Sequence, residues 1–121
     1  ADIVELAKQC VIDLLAVTLA GTRESGSQAV AAELLDGRGT DGPSTLIGLA
    51  QRASALDAAL INGMAAHALD YDDVSLPMSA HASVVILPAL LALAEKRKAS
   101  GRQVLESFVA GYEAGSRIGM Y

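Results

Sequence analysis

Both histidines of this chain and three of its eight aspartates fall within HALDYDDVSLPMSAHAS, residues 67 to 83. Histidine changes charge near neutral pH, and a neighbouring carboxylate gives it a fixed negative partner. Asp70 and His81 stand eleven residues apart, so the chain must fold back for them to meet. A carboxylate and an imidazole held on facing helix ends can take and give protons, a contribution of about 10²–10⁴ in rate. Two other readings fit the same residues. In one, Asp70, Asp72 and Asp73 solvate a loop while His67 fills an internal polar gap. In the other, Asp70, Asp72, Asp73 and His81 offer oxygen and nitrogen ligands to a metal. Spacing argues against a metal, since no histidine pair at i, i+4, no cysteine cluster and no calcium-loop glycine accompanies them. Residue types and spacing leave acid/base chemistry and a solvated loop both open.

The elements that must position these residues are helical. Asp2 caps a first helix in which Ile3, Leu6, Ala7, Cys10, Leu14 and Val17 recur at helical spacing, and Gly21 stops it. Ser25 or Ser27 opens a second helix through Leu35 that ends at Gly37. GRGTDGP, residues 37 to 43, is a turn cluster, and STLIG, residues 44 to 48, suits a short extended piece. Ser54, with Asp57 three residues on, starts a third helix expected to reach Tyr71. A loop over 73–82 contains Pro77. Ser83 then caps a fourth helix to about Lys98, with Pro88 bending its start rather than ending it. Ser100 and Gln103 box the start of a last helix to about Gly119. The fold class is therefore all-α, a bundle of about five helices with at most one short strand. Mid-helix Gly63, and Gly111 and Gly115 on the last helix, are expected where helices approach closely.

On this layout the three acids fall at the C-terminal end of the third helix, where the macrodipole disfavours each carboxylate by about 0.3–1 kcal/mol. His81 falls at the start of the next helix, where free N–H groups attract anions. Local rules broken together at one place point to function more than to stability.

Composition narrows the partners. Hydrophobic residues make up 52% and charged residues 19%, as in a globular chain, while aromatics at 3% leave the core to Ala, Leu, Val and Ile. The net charge of −5 comes without a basic block, which excludes a phosphate-backbone binder, so no nucleic-acid partner is expected. The longest apolar run, Val84 to Ala94, holds eleven residues, well short of the ~20 that span a bilayer, so no membrane partner is expected either. No basic stretch with a cleavage site marks a signal peptide. Cys10 is the one cysteine, expected as a buried, reduced thiol, which fits a cytoplasmic location. The start at Ala1 and the stop at Tyr121 suggest a fragment of a longer protein. Alanine-rich helices cut from a larger fold should expose apolar faces, so a homo-oligomer, or packing against a missing C-terminal part, is expected.

The segment AALINGMAAHALDYDD, then HAS-x4-LPALLALAE, then SGRQVLESFVAGYEAGSRIG, resembles the N-terminal part of the 2-methylcitrate dehydratase family, also called MmgE/PrpD. The likeness runs from LLAVTLAG, residues 14 to 21, to GYEAGSRIG, residues 111 to 119. It implies a longer enzyme with a large helical domain and a smaller lid, acting on polycarboxylates without an obligatory metal or organic cofactor. Known activities include 2-methylcitrate dehydratase, cis-aconitate decarboxylase and iminodisuccinate epimerase. Asp70, the first acid of HALDYDD, and His81, in the place of the family's His-Pro-Ser histidine, become the catalytic candidates. Asp73 and Ser83 beside them become the substrate-binding candidates. Further histidines and a lysine would come from beyond this chain, so the 121 residues alone are expected to be inactive. The sequence departs from the pattern twice: His-Pro-Ser reads His81-Ala82-Ser83, and Asp-Asp-Thr reads Asp72-Asp73-Val74, with Ser75 placed to replace the lost hydroxyl. The implied function is the N-terminal segment of a lyase that dehydrates a citrate-like substrate. The alternative is a non-catalytic association module with the same fold.

Overall fold

A computed structural model of the chain describes residues 2–38 and 41–121. Five helices carry the fold: α1 (Ile3–Gly21), α2 (Ser25–Leu35), α3 (Ala55–His67), α4 (Ala82–Arg97) and α5 (Gly101–Gly119). Two strands of two residues each, β1 (Ser44–Thr45) and β2 (Arg52–Ala53), pair antiparallel between α2 and α3. The all-α bundle expected from the helical periodicity is what forms. The second strand is an addition, because a two-residue partner leaves no alternating pattern to read. Gly39 and Thr40, in the expected turn cluster, lie outside the described residues.

Helix starts follow the capping chemistry in most cases. Asp2 accepts from the Val4 N–H, Ser54 from Asp57, and Ser100 with Gln103 completes a reciprocal box. Asp57 is too short for the second half of its own box; its carboxylate accepts from the Ser54 hydroxyl and pairs with Arg38 at 2.9 Å. α2 departs from expectation: Glu24 is its cap residue, without a side-chain bond, and Ser25 is already helical.

α3 is the central element, packed between α1 and α4. Ala7, Leu14, Ala66, Leu87 and Phe108 form one core cluster among α1, α3, α4 and α5. Leu46, Ala53, Ala58, Ile61 and Ala92 form a second, beneath α2 and the strands. Gly21 sets the α1–α3 approach, since a Cβ there would collide with the Ala65 carbonyl oxygen. A Cβ on Gly111 would stand 3.2 Å from the Ile86 Cγ2 of α4, in line with close helix packing. Gly63 differs: a Cβ there would meet atoms of Pro88 at 3.8 Å, ordinary contact that does not require glycine. α4 runs through Pro88 without a break.

Polar bonds tie the strand segment to the helices. Buried Asn62 of α3 accepts from the Ile47 N–H and donates to the Thr45 carbonyl, both at 2.9 Å. Ser44 donates to the Ala92 carbonyl of α4 at 2.8 Å, and the Thr45 N–H donates to Glu95.

Candidate active site

The site is made by a helix that ends early and a loop that closes on itself. α3 stops at His67, four residues short of the expected Tyr71. Ala68 caps it, and Asp70 adopts the left-handed region at φ 54°, which aspartate tolerates better than most residues. Leaving the helix here keeps the acids out of the last turn, where the dipole would oppose them. Beyond them, Ser75 and Ala80 form an isolated antiparallel bridge, with the Ser75 N–H donating to the Ala80 carbonyl at 2.9 Å. Residues 76–79 are thus pinched off as an excursion, and the chain on either side of the bridge is brought together. Ser75, expected to replace a missing site hydroxyl, is buried in this closure, its Oγ accepting from the Met78 N–H.

Asp70 and His81 meet. The His81 Nε2 lies 3.4 Å from the Asp70 Oδ1. On its other side the His81 Nδ1 lies 3.2 Å from the Asp72 carbonyl oxygen and 3.3 Å from the Asp72 Oδ2. His67 joins them, with its Nδ1 at 3.0 Å from the Asp72 Oδ1 and its ring edge-to-face on that of His81, centroids 4.7 Å apart. The Asp72 side chain is only 1% exposed, whereas that of Asp70 is 78% exposed. Neither reading of Asp72 as a loop-solvating acid nor of His67 as a filler of an internal gap survives. Asp72 is buried under two imidazoles, and the His67 side chain is half exposed. The cluster lies at the surface. The hollows of about 350 Å³ between α2 and α3 and about 370 Å³ between α1 and α5 are lined by other residues.

Asp73 and Ser83 are engaged with each other. The Ser83 N–H donates to the Asp73 Oδ1 at 2.9 Å and the Ser83 hydroxyl donates to the Oδ2. Ser83 lies within α4, not at its cap; His81 is the cap residue and makes no side-chain cap bond. Asp73 therefore satisfies a free N–H at the start of α4 from across the loop. Burial, and next the Asp73 charge, push the Cys10 thiol above its ordinary range, with the Ser83 hydroxyl opposing. Cys10 is half-buried, less enclosed than its helical position suggests. Tyr71 is exposed.

His67, Asp70, Asp72 and His81 each offer one ligand atom, and these atoms lie within 4.8 Å of one another. Asp73, included in the metal set considered from sequence, is outside it. His67 was missed because its sequence neighbours suggest a helix interior; the signal was a histidine five residues before an aspartate across a helix end.

Residues 1–121 match the family model described as the MmgE/PrpD N-terminal domain, and the chain belongs to that family. It is similar to a cis-aconitate decarboxylase-like protein of Aspergillus oryzae, 33% identical over 98% of this chain and 26% of the relative. The cis-aconitate decarboxylase of Aspergillus terreus is 30% identical over 98% of this chain and 25% of its own length. The human cis-aconitate decarboxylase is 42% identical over 50% of this chain and 13% of its own length. The chain thus spans about a quarter of the length of the Aspergillus relatives. No solved structure matches it.

Proposed function

We propose that this chain is the N-terminal helical part of a lyase that acts on a citrate-like polycarboxylate by acid/base chemistry, with His81 as the proton-transferring group. The observation that carries the reading is the His81 ring held between carboxylates, Asp70 at Nε2 and Asp72 at Nδ1. Dehydration takes a proton from carbon and gives one to the departing hydroxyl. Decarboxylation releases carbon dioxide and places a proton on carbon. An imidazole that exchanges its proton near neutral pH serves either. Asp72 orients the ring, Asp70 pairs with the working nitrogen, and Asp73 with Ser83 holds the start of α4 that carries it. The sequence alone suggests loss of water; the relatives' names favour loss of carbon dioxide.

A polyanionic substrate needs cations. Arg52 is engaged with Glu95 and the backbone of 42–43, Arg117 with Glu113, and among the described residues no lysine or arginine pairs with Asp70 or Asp72, so we assign the substrate's cationic contacts to a part of the enzyme beyond this chain. The test uses the intact polypeptide with cis-aconitate and with 2-methylcitrate. His81→Ala and Asp70→Asn should each lower kcat by about 10²-fold or more. Near-normal turnover in both removes the assignment. A wild type without turnover on either acid would favour the association module.

A further inference from the structure

We infer that His67, Asp70, Asp72 and His81 form a site for one divalent transition-metal ion of the zinc class, and that the bound ion inhibits the enzyme. The inhibitory half rests on the acid/base reading above, because the ion would occupy the His81 nitrogen that the chemistry needs. The ion site itself rests on geometry and charge.

The spacing fits first. Zinc bound to nitrogen and oxygen at about 2.0–2.1 Å sets neighbouring tetrahedral ligands about 3.3 Å apart. Here His67 Nδ1 and Asp72 Oδ1 are 3.0 Å apart, His81 Nε2 and Asp70 Oδ1 are 3.4 Å apart, and each of the four residues offers a ligand atom within 4.8 Å of those of the other three. The second observation is the orientation of His81. Its Nδ1 is 3.2 Å from the Asp72 carbonyl oxygen; in the tautomer with the proton on Nδ1, that N–H donates to the carbonyl and Nε2, beside Asp70, is free to take up an ion. A metal-ligating histidine typically donates its other ring N–H to such a carbonyl. The third is charge. Asp72 is almost fully buried, yet among the described residues no lysine or arginine pairs with Asp70 or Asp72. Among those residues the Asp72 carboxylate is held by the two imidazoles alone, and a dication between them would neutralise both acids at once. Two imidazoles with two carboxylates suit zinc or cobalt better than magnesium or calcium, which prefer oxygen ligands throughout. The exposure of Asp70 and His67 gives the ion a direct entry.

The test is titration of the intact polypeptide with cobalt(II) and zinc chloride, with turnover followed in parallel. One equivalent of cobalt should give the intense visible bands of a tetrahedral site. His67→Gln and Asp72→Asn, checked for folding by circular dichroism, should each weaken binding about tenfold or more. One equivalent of zinc should suppress turnover, and a chelator should restore it. A pale octahedral cobalt spectrum in the wild type, or binding unchanged in both variants, overturns the site. Full turnover with the ion bound overturns the inhibition. If His81→Ala keeps turnover while wild-type cobalt is tetrahedral, the acid/base reading falls and the ion site stands. If turnover requires His81 but cobalt is not tetrahedral, the ion site alone falls.

Discussion

One imidazole, His81, is bracketed by two carboxylates of opposite character, Asp72 buried and Asp70 open to solvent. Their separation in environment divides the labour between them, for the enclosed acid fixes the ring and the exposed one shares its outer nitrogen. A second reactive group lies near by and is kept quiet. Burial and the Asp73 charge hold the Cys10 thiol above its ordinary range, so little thiolate is present at neutral pH. Iodoacetamide should label Cys10 more slowly than a free cysteine at neutral pH. Asp73→Asn, by removing a charge that raises the thiol, should speed labelling when followed by mass spectrometry. The pairing of Asp70 with His81 was expected from the family resemblance, which singled them out of a stretch whose spacing left a solvated loop equally open. Asp72 was not, because nothing in DYDD says which carboxylate turns inward. The left-handed turn at Asp70, a feature of backbone geometry rather than residue type, lies two residues before Asp72.

At the scale of elements, the caps at Asp2, Ser54 and Ser100 were legible because each satisfies a backbone N–H within three residues of itself. The end of α3 and the β1–β2 pair were hidden because partners distant in sequence decide them. Asn62 is the clearest such case, a helical side chain that takes the place of a strand partner for Thr45 and Ile47. Asn62→Leu should lower stability by about 1–3 kcal/mol, since it leaves a buried N–H and a carbonyl unpaired. Glycine substitutions should separate two kinds of helix contact. Gly63→Ala has room beside Pro88 and should raise stability by about 0.5–1 kcal/mol in denaturant melts. Gly21→Ala should lower it by about 1–3 kcal/mol, because the added methyl collides with the Ala65 backbone and α1 must move.

Over the whole molecule, large apolar side chains remain uncovered. Ile12 is 66% exposed, Leu56 81% and Leu60 56%, on outer faces of α1 and α3. Such side chains clustered on helices favour association. The isolated 121-residue chain should therefore self-associate at high concentration, and light scattering should report a mass above that of the 12.4 kDa monomer. Replacing Leu56 and Leu60 by Gln should shift that mass downward. Among the described residues no helix is long and apolar enough to cross a membrane, so these faces are not explained by a bilayer span.

The foot of α5 bears directly on the excursion that shapes the cluster. A Cβ on Gly119 would come within 2.5 Å of the Pro77 carbonyl oxygen, and one on Gly115 within 2.6 Å of the Met78 Cε. The final helix therefore works as a doorstop for residues 77–78, although it carries no reactive group itself. Any side chain larger than hydrogen at 119 would wedge that turn outward and loosen the spacing between the acids and His81 from a distance.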